Sequence, residues 1–230
     1  MLQPLTYDRF RKQVMVSMED ICRDIFRKDR LSIKIKKEAV GIQNLATIFE
    51  AALKLSNKKG FQAMSLRDLS RETGLSMGAL YSYFAGKEEL LEIIHEQGRA
   101  VTLRVLDEHV AKTGPAFDRL ESAVRTHLYL SEVMRDWFFF AYMETRYFRK
   151  ADHQRAMEGE LYTEKVFCDI LERGREEGVF YLESPVLTAA AIKALLQDWY
   201  LKRWKYRRRK ISIDAYADFI LGMIRRYVWP

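Results

Sequence analysis

Apolar residues recur at intervals of three and four along almost the whole chain, and residues that interrupt helices are scarce. The 230 residues include only 4 prolines and 11 glycines, whereas a chain of short strands needs turn residues about every ten positions. The hydrophobic content of 48% is that of a globular protein rather than a disordered one. The pattern therefore predicts an all-α fold of about ten helices and excludes collagen-like, low-complexity and disulfide-scaffold proteins.

Helix start and stop signals divide the chain into three parts, which we interpret as residues 1–40, 41–88 and 89–230. The first part contains one predicted amphipathic helix over 7–28, an extra helix for packing or for a partner. It continues into a basic arm at 34–37, which is suited to the DNA backbone or minor groove. The second part combines one helix with two short ones, and the third part holds long helices.

The most informative segment lies in the second part. Ser65 begins a short helix with a capping-box pattern, Gly74 ends it, and Ser76 caps a second short helix. Two short helices joined by a glycine turn form a helix-turn-helix, whose second helix can place its N-terminus at base edges in the major groove. The segment therefore predicts a contact with double-stranded DNA.

The end of this segment is more specific than a helix-turn-helix alone. Leu80-Tyr81-Ser82-Tyr83-Phe84 is followed in register by Lys87-Glu88-Glu89-Leu90. The combination resembles the DNA-binding domain of the TetR family of bacterial transcriptional regulators. The resemblance implies an N-terminal three-helix DNA-binding domain followed by a larger helical domain for ligand binding and dimerisation. Ser70 and Thr73 stand where the family usually has alanine, and Met77 stands where a polar or basic residue is commoner.

The resemblance also assigns roles to individual residues. The predicted DNA contacts are Ser65, Ser76, Met77, Gly78, Ala79, Tyr81, Tyr83 and Lys87. The start of the second helix would approach base edges, with apolar contact to a thymine methyl. The tyrosines, the lysine and Ser65 would hold phosphates, which fixes register without reading sequence. Leu80 and Phe84 are expected to pack in the core.

Other kinds of site are disfavoured. Gly74-Leu-Ser-Met-Gly78 matches the G-x-S-x-G pattern of hydrolases, but a predicted helix precedes it and no parallel sheet is indicated. Cys22 and Cys168 lie far apart, and no pair of histidines has the spacing of metal ligands. We therefore predict a cytoplasmic protein with reduced thiols, without catalytic residues, metal, cofactor or membrane segment.

The aromatic residues after position 136 leave two interpretations open. They could form the core and a dimer interface, or they could line an apolar effector cavity between helices. The resemblance implies an effector site in the C-terminal domain, for which the candidates are Trp137, Phe140, Arg146, Tyr147 and Trp199. A fatty acyl-CoA is one candidate effector, because Arg146, Arg149 or the basic run 202–210 could bind its phosphates. The four histidines could line this cavity, or lie in the core or in solvent.

The last two predicted helices, Pro185–Trp204 and Ser212–Val228, would form the dimer interface, as the resemblance implies. Their apolar faces supply the candidates Leu195, Leu196, Trp199, Phe219, Ile220 and Met223. Between them, the run 202–210 has seven Lys and Arg and no acidic residue. We interpret this run as a solvated helix end and loop rather than as a DNA contact.

These observations predict a ligand-responsive transcriptional regulator, expected to be a repressor, that binds a palindromic operator as a homodimer. A small lipophilic effector would shift the helix that begins at Lys87, change the spacing of the two reading helices and release the DNA. The alternative is a helical module that binds a ligand or a partner without sequence-specific DNA recognition.

Overall fold

The computed structural model describes residues 5–14, 17–28, 37–110, 114–145 and 150–229, without the side chains of 26–28, 150–152 and 155. The described residues contain helices and no strand, which confirms the predicted all-α class. Twelve helices lie in these ranges: α1 Tyr7–Gln13, α2 Met18–Lys28, α3 Glu38–Lys59, α4 Leu66–Thr73, α5 Met77–Leu80, α6 Lys87–Val110, α7 Ala116–Val133, α8 Arg135–Glu144, α9 Lys150–Glu176, α10 Pro185–Leu201, α11 Arg203–Arg208 and α12 Ile213–Val228. None of these helices is both long enough and apolar enough to cross a membrane.

Side-chain caps determine where many of these helices begin. In each case a hydroxyl accepts a hydrogen bond from the backbone N–H three residues later; these N-caps are Thr6, Ser65, Ser76, Ser184 and Ser212. Two glycines end helices in the left-handed region, Gly60 after α3 with φ of 83° and Gly74 after α4 with φ of 72°. These boundaries follow from local chemistry and agree with the sequence prediction.

The single helix predicted over 7–28 is wrong, because the structure has two helices there. α1 ends at Gln13, and Val14 leaves helical geometry with ψ of 81°. Ser17 then begins α2: its Oγ accepts from the N–H of Asp20 at 3.0 Å and donates to Asp20 Oδ2 at 2.6 Å. Positions 34–36 of the predicted basic arm lie outside the described residues.

The helix predicted over Pro185–Trp204 is also divided in two. α10 ends at Leu201, and Lys202 adopts φ of −121° and ψ of 34° before α11 begins. Asp198, in the last turn of α10, pairs with the ammonium of Lys202 at 3.0 Å and also with that of Lys205. The basic run is thus a short separate helix whose first cations fold back onto α10.

Contacts divide the chain into two compact units. The first unit, which contains the helix-turn-helix and is called the HTH unit below, comprises Val16–Val101 and Asp136–Ala156. The second, called the C-terminal unit, comprises Met1–Met15, Thr102–Arg135 and Met157–Pro230. α1 therefore belongs to the C-terminal unit and α2 to the HTH unit, while α6 and α9 each contribute to both.

A close approach between α6 and α8 organises the core of the HTH unit. Trp137 is buried, packs edge-on against Phe49 with 6.0 Å between ring centroids, and donates its indole N–H to the carbonyl of Ile94 at 2.7 Å. At Gly98, an added Cβ would lie 2.4 Å from the indole nitrogen of Trp137. Only glycine leaves room for the ring at this position.

The short helix α1 is part of the core of the C-terminal unit. Phe10 is fully buried, and its ring centroid lies 5.7 Å from those of His109 and Tyr129. The N–H of Tyr7 donates to Asp214 Oδ1 at 3.0 Å, and the hydroxyl of Tyr129 donates to the same oxygen at 2.5 Å. Burying a side chain such as Phe10 contributes ~1.5–3 kcal/mol, so the N-terminal extension stabilises this unit.

Candidate nucleic-acid interface

The first helix of the helix-turn-helix, α4, begins at a complete capping box. Ser65 Oγ accepts from the N–H of Asp68 at 3.1 Å, and Asp68 Oδ2 accepts from the N–H of Ser65 at 2.9 Å. Hydrogen bonds from Lys59 and from Ser65 hold the pKa of Asp68 well below its usual range. Ser65 Oγ also donates to Asp68 at 2.7 Å. The predicted phosphate contact of Ser65 would therefore require its hydroxyl to exchange partners.

Two side chains hold the turn between α4 and α5. Both stand at positions where the family that the sequence resembles usually has alanine. Thr73 Oγ1 donates to the carbonyl of Leu69 at 2.8 Å and accepts from the N–H of Leu75 at 3.2 Å. Ser70 Oγ donates to the carbonyl of Leu75 at 2.5 Å. These hydrogen bonds fix the path of the backbone around Gly74, and so they fix the direction in which α5 leaves the turn.

The second helix, α5, is one turn long and exposes its N-terminal end. Ser76 caps it through the N–H of Ala79 at 3.1 Å, and Met77, Gly78 and Ala79 are at least partly exposed. A Cβ at Gly78 would meet only Ser76 Oγ, at 3.9 Å. Nothing in the protein's own packing requires glycine at this position, which leaves the close approach of another molecule as a reason for it.

The two tyrosines that follow α5 differ in exposure. Tyr81 is 50% exposed, whereas Tyr83 is 4% exposed and, like Leu80 and Phe84, lies buried in the HTH unit. Burial raises the pKa of the Tyr83 phenol, against a smaller opposite effect of Asn44. The core positions of Leu80 and Phe84 confirm the prediction for them. The phosphate contact predicted for Tyr83 does not fit the structure, because its ring is enclosed.

Lys87, the first residue of α6, is bonded within the HTH unit. Its ammonium donates to the carbonyl of Gln62 at 2.8 Å and lies 4.9 Å from the centroid of the Phe61 ring. Burial lowers the pKa of Lys87, and the negative charges of Glu88 and Glu144 oppose this shift. The ammonium therefore lies beside the loop that joins α3 to α4, within the helix-turn-helix region.

Glu144 is a functional candidate that sequence reasoning missed. It is buried at the end of α8, and its Oε1 accepts from the N–H of Phe61 at 3.1 Å and from Ser56 Oγ at 3.2 Å. The carboxylate thus fixes the loop on which Lys87 rests. The sequence did mark this residue, because Glu144 is the one acidic residue in the aromatic segment 137–145.

The predicted effector residues are divided between the two units. Trp137 and Phe140 are buried in the HTH unit, where Phe140 packs edge-on against Phe61 at 6.0 Å. Trp199 is buried in the C-terminal unit, stacks on Tyr206 at 5.0 Å and donates to Glu132 Oε2 at 2.8 Å. Each of the three is packed as a core residue. Arg146 and Tyr147 lie outside the described residues.

The predicted dimer residues also separate into two groups. Leu196, Trp199 and Ile220 are buried in the core of the chain itself, which leaves them no exposed surface. Leu195 is half-buried, and Phe219 and Met223 are exposed on α12. Both faces of α10 are apolar, and so the sequence alone could not show which of its residues are buried.

The histidines and cysteines show no metal-binding arrangement. Among the residues that the structure describes, no group of His, Cys, Asp and Glu could hold a metal ion. His153 is exposed and His127 is buried. Cys22 lies in the core, where burial raises the pKa of its thiol to about 12, and Cys168 is partly exposed.

Two family models match the chain. Residues 48–94 match the model of bacterial regulatory proteins of the tetR family, and residues 113–228, about half of the chain, match that of the tetracyclin repressor-like C-terminal domain. The chain belongs to the TetR family of transcriptional regulators. The first match covers the helix-turn-helix, and so this TetR-family regulator is a DNA-binding protein.

Relatives of this TetR-family regulator have similar lengths. It is 28% identical to the HTH-type transcriptional regulator YfiR of Bacillus subtilis (strain 168) over 200 residues, 82% of this chain and 93% of YfiR. A tetR-family regulatory protein from Rhodococcus RHA1 has a TM-score of 0.73 at 25% identity, over 80% of this chain and 96% of that chain. AibR, solved with isovaleryl coenzyme A and operator DNA, shares the fold with a TM-score of 0.69 at 18% identity, over 76% of this chain and 95% of AibR.

Proposed function

We propose that this TetR-family protein is a ligand-responsive repressor that binds a palindromic operator as a homodimer. The observation that carries the proposal is the exposed N-terminal end of α5, where Gly78 is free of any packing requirement and Tyr81 projects beside it. Ser76, Met77, Gly78 and Ala79 approach base edges in the major groove, and Ser65, Tyr81 and Lys87 bind phosphates. Tyr83 is left out of this set because it is buried.

A gel shift with the DNA upstream of the protein's own gene tests the proposal. We expect a shift that competes out with unlabelled upstream DNA, resists an excess of unrelated DNA and weakens steeply with salt. Absence of a sequence-specific shift would instead support a helical ligand-binding or partner-binding module.

The proposed dimer interface uses the outer faces of α10 and α12. On α10, the exposed residues Leu187, Ala191 and Ala194 follow one another at helical spacing. On α12, Phe219, Met223 and Tyr227 do the same. Leu187 is 71% exposed and Phe219 is 67% exposed, and contiguous exposed apolar surface of this kind marks a protein contact. The two helices from each subunit would form a four-helix interface related by a twofold axis.

The effector in this proposal is small and lipophilic, and a fatty acyl-CoA is one candidate. AibR was solved with an acyl-CoA and with operator DNA, which supports this class. Arg207, Arg208, Arg209 and Lys210 are exposed and make no ion pair among the described residues, so they could bind anionic groups. Release of bound DNA by acyl-CoAs of different chain lengths, followed by fluorescence anisotropy, tests the candidate. Unchanged anisotropy across the series counts against it.

Release of DNA in this proposal runs through α6. Effector binding shifts this helix, which begins at Lys87 beside the helix-turn-helix, and so changes the spacing of the two reading helices. By thermodynamic linkage, operator DNA must weaken effector binding by the same factor by which the effector weakens DNA binding. Effector titrations with and without operator DNA measure this factor directly.

A further inference from the structure

A cluster of polar side chains lies inside the C-terminal unit, where α7, α9 and α10 contribute one or more residues each. At its centre is Lys193 of α10, which is 3% exposed. Its ammonium nitrogen lies 2.8 Å from Thr163 Oγ1, 3.1 Å from His127 Nε2 and 3.5 Å from Glu160 Oε2. Lys193 is also the one charged residue between positions 186 and 197 in the sequence.

The hydrogen bonds around Lys193 determine where the protons lie. Burial, and then the charge of Lys193, hold the pKa of His127 well below its usual value, so the ring is neutral. Because a neutral imidazole has one acceptor nitrogen and the ammonium has only donors, His127 accepts at Nε2 and carries its proton at Nδ1. Thr163 accepts from Lys193 and donates its own proton to the carbonyl of Glu160 at 2.8 Å. Two of the three ammonium protons thus bond to neutral groups.

Burial lowers the pKa of Lys193, and the charge of its ammonium is poorly compensated. Among the side chains that the structure describes, Glu160 is the one carboxylate within ion-pair distance, and its side chain is 48% exposed. The other oxygen of Glu160 accepts from Gln197 Nε2 at 2.6 Å. A buried ammonium normally needs a close and well-bonded counter-ion, since its desolvation costs several kcal/mol. A pair at 3.5 Å with a carboxylate that is shared and half in solvent does not supply this.

We propose that Lys193, His127 and Thr163 anchor the carboxylate of a small apolar acid, and that Glu160 covers this anchor until the acid displaces it. The inference rests on the proposed function and, among lipophilic effectors, selects a free acid over a coenzyme A thioester. The anchor suits a monoanion, because Lys193 supplies one positive charge and Glu160 and Glu164 would repel a second negative charge. Phe167, itself fully buried, packs edge-on against His127 at 6.1 Å, and so an apolar ring adjoins the polar cluster.

The proposed displacement accounts for the position of the Glu160 side chain at the edge of the cluster. Its backbone carbonyl is held by Thr163, while its side chain reaches Lys193 from the solvent side. An incoming carboxylate takes the same proton of Lys193 at shorter distance, and Glu160 turns fully into water, where it is well solvated. A free acid satisfies this exchange, whereas the thioester of a coenzyme A conjugate carries no charge at its carbonyl.

The test is calorimetric titration of the full-length protein with hexanoate, octanoate and decanoate, each compared with its amide and its coenzyme A thioester. We expect the acid that fits best to bind at least about tenfold more tightly than its amide, the typical effect of one charge-assisted hydrogen bond. Equal affinity of acid and amide, or tighter binding of the thioester, throughout the series overturns the proposal. Binding of none of the acids also overturns it.

Variants of Lys193 distinguish a site that binds a carboxylate from a polar cluster that only stabilises the fold. Lys193→Met keeps an unbranched side chain, one atom shorter, and removes its charge, and we expect it to bind acid and amide equally. Lys193→Gln serves the same purpose if the methionine variant does not fold, as judged by circular dichroism. Lys165→Met is the matched control, because Lys165 lies exposed on α9 in a pair with Asp169. A preference for the acid that survives the loss of the Lys193 charge contradicts the proposal.

Glu160→Gln distinguishes the proposed covering role of Glu160 from a purely structural role. Removal of the covering carboxylate should tighten binding of the acid several-fold, because the competitor for Lys193 is lost. Unchanged or weaker binding of the acid to this variant contradicts the proposal. Gel shifts of each variant keep the two hypotheses apart: a protein that binds acids through Lys193 without binding its upstream DNA refutes only the proposed regulator, and a DNA-binding protein indifferent to acids refutes only the anchor.

Discussion

Lys87 has two possible partners, the carbonyl of Gln62 within the HTH unit and a phosphate of DNA. The observed hydrogen bond of 2.8 Å and the contact with the Phe61 ring place the ammonium beside the α3–α4 loop. A phosphate offers a charge-assisted hydrogen bond, which is about twice as strong as a neutral one. In addition, the partial positive charge of the α6 N-terminus attracts an anion to the same place.

Replacing Lys87 by methionine tests the phosphate contact. We expect affinity for upstream and unrelated DNA to fall by a similar factor, and the slope of log K against log salt to become shallower by about one unit. Fluorescence anisotropy at several salt concentrations measures both quantities, with Lys165→Met as the control. A variant with unchanged affinity and relaxed sequence preference would show that Lys87 reads bases instead.

Gly78→Ala tests close approach to base edges. The added Cβ meets only Ser76 Oγ at 3.9 Å, and alanine favours a helix over glycine by ~1 kcal/mol. The melting temperature should therefore stay the same or rise, while affinity for upstream DNA falls at least several-fold. If DNA affinity is unaffected in a variant of unchanged stability, α5 does not approach DNA through this residue.

The residues whose roles could be predicted are those that act locally. Ser65, Ser76 and Gly74 cap or end helices within three residues of themselves, so their spacing reveals their function. Tyr83 could not be placed in the same way, because its burial depends on packing between distant segments. Lys193 was missed for a related reason: a charge in an apolar helix can lie at its surface or in its core, and only the tertiary structure distinguishes these.

The junction between α10 and α11 shows how side chains can end a helix that the hydrophobic pattern would continue. Asp198 binds Lys202 and Lys205 and also accepts from the hydroxyl of Tyr206. Burial alone would raise the pKa of Asp198, but the hydrogen bonds from Lys205, Tyr206 and Lys202 lower it to about 2. The carboxylate therefore stabilises this junction in its charged form.

Asp198→Asn should destabilise the protein in a pH-dependent manner. Because the folded pKa is about 2 and the ordinary value is 3.8, the wild-type carboxylate contributes stability above about pH 4, which is lost as the pH falls toward 2. We expect a loss on the order of 1–2 kcal/mol in the free energy of unfolding at neutral pH. The difference between variant and wild type should shrink in acid.

Urea unfolding at several pH values measures this difference. Asp169→Asn is the matched control, since Asp169 forms an exposed pair with Lys165 one turn away on α9, and such pairs contribute little. A loss that is independent of pH would assign the effect to packing rather than to charge.

At the level of helices, the sequence predicts that a segment is helical better than it predicts where a helix is interrupted. The break at Val14 was missed although Ser17 caps α2 through the N–H of Asp20, because the apolar positions keep helical spacing across the break. The break at Lys202 lacked even this signal, since it depends on Asp198 attracting cations that follow it. Both errors joined two real helices, so the helical class and the order of elements were correct.

For the whole molecule, the proposed interface on α10 and α12 predicts the oligomeric state. Phe219→Glu places a charge in the exposed apolar face, where dimer formation would bury it unpaired at a large cost in free energy. We expect the variant to elute as a monomer in size-exclusion chromatography with light scattering, and to lose most of its affinity for a palindromic operator. Leu161→Glu on α9, also an exposed apolar position, should leave the dimer intact. Dimeric Phe219→Glu would place the interface elsewhere.

The anchoring of α1 has a consequence for shortened versions of this protein. The match to the DNA-binding family model begins at residue 48, which suggests that the preceding residues are dispensable. Phe10, however, fills a space beside Tyr129, and the carboxylate of Asp214 bonds to the backbone of Tyr7. A protein trimmed to the matched region would keep α4 and α5, yet it would expose the ring of Tyr129 and leave Asp214 without the hydrogen bond from Tyr7. Its tendency to aggregate would then be an artefact of trimming rather than a property of the regulator.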